Sequence, residues 1–132
     1  MTMDIIQVPV SPGEVLDKIT ILEIKSERIS DPGKLANVKR ELELLQAAWL
    51  QSVEEDETVH RIHSELKTIN EALWEIEDDI RDKERAREFD QVFIDLARSV
   101  YVTNDQRAEA KKELNVYLGS EIVEEKSYQD YS

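Results

Sequence analysis

Apolar residues recur at every third or fourth position through most of the chain, and residues 34–118 contain neither glycine nor proline. This spacing places the apolar side chains on one face of an α-helix and predicts an all-α fold. We expect a single helical domain, a bundle of about five helices with a short extended N-terminal arm. The predicted elements are an arm over 1–10, helices over 11–30, 34–52, 56–86, 88–102 and 104–118, and a polar tail over 119–132.

The first predicted helix starts at a capping box, Ser11-Pro12-Gly13-Glu14, in which Ser11 caps the helix and Glu14 can return to the Ser11 amide. The segment Asp31-Pro32-Gly33 is expected to end it. Its apolar residues cover more than one stripe, so we expect this helix to lie centrally in the bundle. They are Val15, Leu16, Ile19, Ile21, Leu22, Ile24 and Ile29.

The second and third predicted helices each carry one narrow apolar stripe. In the second helix the stripe comprises Leu35, Val38, Leu42, Leu45 and Trp49. In the third it comprises Val59, Ile62, Leu66, Ile69, Leu73, Ile76 and Ile80. Strict alternation of three and four residues is typical of helices that pack closely side by side. We therefore predict that these two helices form a long antiparallel hairpin.

The last two predicted helices follow a stretch over 82–88 in which every residue except Ala86 is charged, which indicates either a solvated helical extension or a bend. A second capping box, Thr103-Asn104-Asp105-Gln106, predicts that a separate fifth helix starts there. Gly119 is expected to end it. In the acidic tail beyond, Ile122, Val123, Tyr128 and Tyr131 are apolar enough to dock on the bundle.

The charge balance excludes several classes of partner. Seventeen basic and thirty acidic residues give a net charge of −13, so we expect neither nucleic acid nor an anionic membrane surface as the main partner. The chain starts without a basic segment followed by an apolar run, and no apolar stretch could span a membrane, so we expect a cytoplasmic protein. The absence of cysteine removes thiol chemistry.

Two groups of residues could hold a metal ion. Glu71, Glu75 and Asp78 share one face of the third predicted helix, as in magnesium-dependent helical nucleotide pyrophosphohydrolases. The alternative is a charged outer face that contacts water, which we favour, and we expect no cofactor. His60 and His63 near Glu57 have helical metal-ligand spacing, but solvated side chains explain them better.

A locally basic segment lies in this acidic chain over 98–112. Arg107 and Lys111 lie on one face near the predicted start of the fifth helix and could bind a phosphate or carboxylate, with Arg98 nearby in sequence. Alternatively, Arg107 and Lys111 pair with acids of the third helix or of the tail, which we favour because acids outnumber bases almost two to one.

The first predicted helix places charged residues among its isoleucines. Glu14, Asp17, Lys18 and Lys25 recur along it, and a central helix would partly bury some of them against matching charges. Buried matched charges mark either a site or a device that fixes the packing register, and both interpretations stay open.

Trp49 is expected in the core, whereas Trp74 lies beside the stripe of the third predicted helix and could contact the first helix or another subunit.

Three stretches together resemble a family of short uncharacterised bacterial and phage proteins, a domain of unknown function that covers nearly the whole chain. They are the run from Val8 to Lys25 containing SPGEVLDKITILEIK, the run LWEIED from Leu73, and LARSVYVTNDQRA from Leu96 with EEKSY from Glu124. The resemblance implies an association with cell-surface glycan or lipopolysaccharide genes, but it assigns no catalytic role. It directs attention to the polar residues Glu14, Asp17, Lys18, Lys25, Arg98, Asn104, Asp105, Arg107 and Lys111.

We therefore predict a non-enzymatic helical protein-binding or assembly module, which self-associates or binds a protein partner. The arm, the long hairpin and the wide arc of the first helix all leave apolar surface that a monomer would expose. The main alternative is a pocket for an anionic metabolite such as a nucleotide or sugar nucleotide, held by Arg98, Arg107 and Lys111 with Asp17 or Glu14 as general base. Magnesium-dependent pyrophosphate hydrolysis by Glu71, Glu75 and Asp78 is the third hypothesis.

Overall fold

The computed structural model describes residues 3–131, which form four α-helices and no β-strand. They are α1 (Pro12–Arg28), α2 (Pro32–Ser52), α3 (Glu57–Ala86) and α4 (Gln91–Tyr117). The all-α prediction is confirmed, but the expected number of about five helices is not matched. Met1 and Thr2 of the predicted arm and Ser132 of the predicted tail lie outside the described residues.

Helix α1 is the centre of the bundle, as its wide apolar arc predicts. It packs against α2 on one side and against both α3 and α4 on another. Leu16 and Ile19 of α1 are buried in the main core, and Leu22 and Ile24 are buried as well. The core also contains Trp49 from α2, Val59, Ile62 and Leu66 from α3, and Ala110 and Leu114 from α4.

The predicted antiparallel hairpin of the second and third helices is wrong. Within residues 3–131, α2 packs only on α1, and the long hairpin is formed by α3 and α4. The reason is the wide arc of α1, which receives the apolar stripe of α2 on one part of its surface. The apolar stripe of α3 packs against α1 and α4 instead. Helices α2 and α3 therefore do not pair, although they follow each other in the sequence.

The predicted break before the fifth helix is also wrong, because α4 continues through Thr103-Asn104-Asp105-Gln106 without interruption. Residues of the capping type compete with helix only when their side chains bond the local backbone. Here Asn104 accepts a hydrogen bond from Arg107, and Asp105 accepts one from Tyr131 in the tail. Without glycine or proline to stop it, the helix therefore spans both predicted segments.

The helix starts follow their capping residues. Ser11 accepts from the Glu14 amide, but the carboxylate of Glu14 pairs with Lys111. Asp31, expected to end the first helix, instead caps α2 by accepting from the Lys34 amide, with Pro32 in its first turn. The charged stretch over 82–88 contains the last turn of α3, which ends at Ala86. The chain then turns at Arg87, whose φ of 56° lies in the left-handed region.

The two ends of the chain differ in how they meet the bundle. Residues 3–10 form no helix or strand and are exposed, with Ile5, Ile6 and Val8 among the largest exposed apolar side chains. Residues 119–131 also lack helix and strand, but they contact α4 through Glu124 and Tyr131. No helix within the described residues is both long and apolar enough to cross a membrane.

Helices α1 and α4 approach each other closely at Gly13. Its amide donates to Asn115 Oδ1 at 2.7 Å, and a Cβ atom added at Gly13 would lie 2.6 Å from the Lys111 carbonyl oxygen. This distance is shorter than a van der Waals contact. The oxygen in the way belongs to the backbone of α4, so it cannot move aside as the end of a flexible side chain could. Glycine is therefore required here for helix–helix contact rather than for its backbone freedom.

We predict that Gly13→Ala destabilises the protein by about 1–3 kcal/mol, because the methyl group forces α1 away from α4. Urea unfolding followed by circular dichroism measures this change. Gly33→Ala is the matched control, since the added Cβ would meet only Asp31 Oδ2 at 3.4 Å. The control should leave stability unchanged or raise it by up to about 1 kcal/mol. Equal effects of the two substitutions would contradict the packing argument.

Candidate functional site

An ion pair between a buried carboxylate and a partly exposed guanidinium joins α1 to α4. Asp17, whose side chain is only 2% exposed, accepts two hydrogen bonds from Arg107: Nε donates to Oδ1 at 3.0 Å and Nη2 donates to Oδ2 at 2.8 Å. This two-point geometry matches the planar guanidinium to the carboxylate and fixes the orientation of both groups. The candidate residues Asp17 and Arg107, 90 positions apart, thus form one unit.

Helix α3 completes the environment of this ion pair. The side-chain amide of Asn70 donates to Asp17 Oδ1 and to Thr20 Oγ1, both at 2.9 Å, and all three residues are buried. Thr20 in turn donates to the Asp17 carbonyl. Within residues 3–131, no buried side-chain nitrogen or oxygen lacks a hydrogen-bond partner. The network therefore satisfies its polar atoms, as burial in a helical core requires.

A second cation lies on the next turn of α4. The ammonium of Lys111 is almost fully buried and pairs with Glu14 of α1 at 2.8 Å and with Glu124 of the tail at 3.0 Å. Burial by itself lowers the pKa of Lys111, but hydrogen bonds to Glu14 and Glu124 outweigh it, so the pKa lies above its ordinary value. Lys111 thus links α1, α4 and the tail.

The tail has a second attachment on α4. Tyr131 donates a hydrogen bond to Asp105 at 2.8 Å, and its ring lies 4.8 Å from the ring of Tyr101. By contrast, Tyr128 is exposed, and Ile122 and Val123 are exposed to a lesser degree. The candidate residue Asp105 therefore serves to hold the tail rather than to cap a helix.

An open groove adjoins the ion pair, where the C-terminal half of α1 meets the α3/α4 hairpin. Its volume is about 550 Å³, and we call it the α1–hairpin groove. It is lined by Ile21 and Lys25 of α1, Leu73 and Trp74 of α3, and Asn104 and Arg107 of α4. Three of the polar residues singled out from the sequence, Lys25, Asn104 and Arg107, therefore meet in one place.

Two of the candidate residues lie elsewhere. Lys18 pairs with Glu41 on α2 at 3.0 Å, and both side chains are about half exposed. Arg98 is exposed and forms no ion pair within the described part of the chain. It precedes Arg107 by nine residues, about two and a half helical turns, which places it on the opposite face of α4. Arg98 therefore does not lie with Arg107 and Lys111, which both line a cavity of about 500 Å³.

The carboxylates considered for magnesium are used differently. Glu75 forms an ion pair with Arg28, the last residue of α1. This contact, reinforced by the charges of Glu71 and Asp78, raises the pKa of Arg28 further above its ordinary value. Among residues 3–131, no three or more histidine or acidic side chains lie close enough together to hold a metal ion.

The two histidines each contact a glutamate. His60 Nε2 lies 2.9 Å from Glu55, and the indole N–H of Trp49 donates to the same carboxyl group. Hydrogen bonds from His60 and then from Trp49 lower the pKa of Glu55. His63, partly buried, lies 2.7 Å from Glu23 of α1. The histidines therefore point to different partners.

Sequence reasoning missed three members of the polar network. Asn70 flanks the apolar stripe of α3, Thr20 lies among apolar neighbours, and Glu124 belongs to the tail. Asn70 bonds Thr20 across 50 positions, and Glu124 reaches Lys111 only because the tail folds back on α4, so no local spacing marks them. The one usable signal is an uncharged polar residue beside an apolar stripe, as at Asn70, where burial would require a partner.

Comparison with protein families gives a match over nearly the whole chain. A family described as "Family of unknown function (DUF6165)" matches residues 6–131, nearly the whole chain. No curated protein and no solved structure matches the sequence.

We predict that Arg107→Met lowers the free energy of unfolding by about 3 kcal/mol, because it leaves the carboxylate of Asp17 buried without its cation. The double variant Asp17→Asn/Arg107→Met should lose less than the sum of the two single losses, since no charge is then left unpaired. Urea titration of all four forms measures the coupling. Arg81→Met, which removes an exposed arginine with an ion pair on α3, is the control and should change stability little. Strict additivity would contradict the pairing.

We further predict a pH-dependent contribution from His63. The hydrogen bond to Glu23 raises the pKa of His63 despite opposing burial, with Glu55 adding to the rise and Lys67 opposing it. Because the folded pKa exceeds the unfolded value of about 6.5, the stabilisation is complete below that pH and disappears as pH rises through the folded pKa.

The free energy of unfolding should therefore decrease between about pH 6 and pH 8, and His63→Gln should remove part of that decrease. Urea unfolding across this range makes the measurement. His60→Gln, at a histidine whose side chain is 62% exposed, is the control and should keep the wild-type profile. An unchanged profile in His63→Gln would show that the pair with Glu23 contributes nothing.

Proposed function

The chain belongs to DUF6165, a family of unknown function, and we propose that this protein is a non-enzymatic assembly module that pairs with a second copy of itself. The pairing surface is the distal hairpin, which we define as residues 76–100 at the far end of α3 and α4. We further propose that the assembly serves cell-surface glycan biosynthesis, the setting that the family resemblance implies.

The observation that carries the proposal is an apolar face of the α3/α4 hairpin that extends beyond the part packed against α1. Ala110 of α4 is buried, and Val92 lies 18 residues earlier, about five helical turns, so both are on the same face. Val92 is nevertheless 52% exposed. On α3, Ile62 is fully buried, whereas Ile80, also 18 residues away, is only partly buried.

The cover is missing because α1 is much shorter than the hairpin. Helix α1 has 17 residues and α3 has 30, which correspond to about 26 Å and about 45 Å. The last residue of α1, Arg28, contacts Glu75, so the distal hairpin extends past the end of α1. From residue 71 to residue 109 the structure has no fully buried side chain.

A second copy suits this surface better than an unrelated partner. Two identical hairpins related by a two-fold axis can cover each other's apolar stripes and form a four-helix arrangement. In an antiparallel pairing, Arg87 at one tip approaches Asp79 of the other copy. Arg87 and Asp79 form no ion pair within residues 3–131, so their charges are available for such a contact.

The internal pairing of the carboxylates supports a non-enzymatic role. Asp17 and Glu14, the two groups considered as a general base, are held by Arg107 and by Lys111. Both carboxylates are therefore already engaged by cations of α4. The same contacts fix α1 against the hairpin, as a rigid assembly module requires.

Analytical ultracentrifugation at tens of micromolar tests the proposal. We expect the wild-type protein to sediment with twice the mass of one chain, 15.3 kDa. Val92→Glu should raise the dimer dissociation constant at least about tenfold, because a charge would be buried at the centre of the interface. The exposure of Val92 in a single chain means that the variant should fold.

The matched control is Val116→Glu, at a valine on α4 that is 67% exposed and lies away from the apolar face. This variant adds the same charge and should remain a dimer. A wild-type monomer, or equal dissociation of both variants, would overturn the proposal. A stable complex with another protein that Val92→Glu disrupts would replace the second copy by that partner.

A further inference from the structure

The α1–hairpin groove combines positive charge with an apolar wall, and the pairing of hairpins does not explain it. Its volume of about 550 Å³ falls in the range of small-molecule sites. The groove lies where three helices meet, so its wall is built from rigid elements rather than from loops. Such a concave surface with a few converging polar groups is the usual form of a ligand site.

Two cations in the groove keep unused hydrogen-bond donors. Lys25 is partly buried, yet its ammonium has no ion pair or hydrogen bond within residues 3–131. Arg107 has five N–H groups, of which two bond Asp17 and one reaches Asn104 at 3.4 Å. Two N–H groups of Arg107 are therefore left without a partner in the described part of the chain.

These donors suit an anion because the nearest acid is already engaged. Asp17 is covered by Arg107 and Asn70 and does not line the groove. Of the two acids that do line it, Glu77 is paired with Arg81. Ammonium and guanidinium groups together bind phosphate strongly, since each contributes charge-assisted hydrogen bonds.

The remaining wall suits an organic body attached to the anion. Ile21 and Leu73 supply aliphatic surface beside the Trp74 ring, which Arg28 contacts with its guanidinium carbon 5.8 Å from the ring centroid. A flat ring of a ligand can pack on such a surface. Asp78 at the edge can accept hydrogen bonds from hydroxyl groups, because a carboxylate is an acceptor.

We propose that the α1–hairpin groove binds a small organic phosphate monoester, with the phosphate between Lys25 and Arg107 and a hydroxylated ring against Trp74. This site is not the predicted group of Arg98, Arg107 and Lys111. Lys25 replaces Arg98, and Lys111 is buried in its own ion pairs. Binding needs no catalytic step, and it adds a ligand to the assembly role.

Nuclear magnetic resonance titration of the ¹⁵N-labelled protein tests this site with four probes: glucose 1-phosphate, uridine 5′-monophosphate, inorganic phosphate and glucose. The indole N–H signal of Trp74 should shift with at least one organic phosphate. That of Trp49 should not, because Trp49 is buried in the core and bonded to Glu55. Glucose should have no effect, and inorganic phosphate should bind at least about tenfold more weakly than the better organic phosphate.

Lys25→Met should weaken binding of that organic phosphate at least about tenfold, because it removes the ammonium but keeps an apolar side chain of similar length. Lys39→Met is the matched control: it makes the same charge change on the exposed surface of α2 and should keep wild-type affinity. Thermal unfolding checks that both variants fold.

Three results would overturn the proposal. They are the absence of any Trp74 shift at millimolar probe, equal binding by Lys25→Met and the wild type, and inorganic phosphate binding as tightly as both organic phosphates. The same titration on Val92→Glu separates this inference from the assembly proposal, since a groove within one chain should bind the probe whether or not the protein is a dimer.

Discussion

The fold depends on the buried contact between Asp17 and Arg107. An almost fully buried carboxylate is costly unless a cation and further donors surround it, and here Arg107 and Asn70 supply both. Because the two partners come from α1 and α4 and the amide from α3, only one arrangement of the three helices satisfies all of them. Apolar packing alone would tolerate small rotations of α1, whereas this network would not.

The same network determines what the other polar groups can do. With Asp17 bound to it, Arg107 still has N–H groups without a partner within residues 3–131, and it lines the groove that contains Lys25 and Trp74. With Glu14 and Glu124 bound, Lys111 holds the tail on α4. Residues that read as one basic cluster in the sequence therefore divide into a structural pair, a tail attachment and an open groove.

The exposed apolar face of the distal hairpin and the groove both arise because α1 is shorter than α3 and α4. Helix α1 ends near Glu75, while α3 and α4 continue as a pair with apolar residues still on their inner faces. Next to the end of α1 this leaves a concave space with mixed polar and apolar walls. Farther out it leaves an apolar stripe, which suits another helix pair. The proposed binding groove and the proposed assembly surface therefore lie side by side in a short chain.

The sequence by itself determined the helical class, the central position of α1 and the capping residue Ser11, because these depend on local periodicity and local hydrogen bonding. It also identified Asp17, Lys25, Arg107 and Lys111 as residues of interest. It did not determine which helices pair or that α4 continues without a break through Thr103 and Asn104. The pairing depends on which helices pack on the wide apolar arc of α1, and in α4 the side chains of Asn104 and Asp105 bond Arg107 and Tyr131 rather than the local backbone. Only the tertiary structure decided those points, since residues such as Asn70 and Asp17 meet across more than fifty positions and no local pattern encodes such a contact.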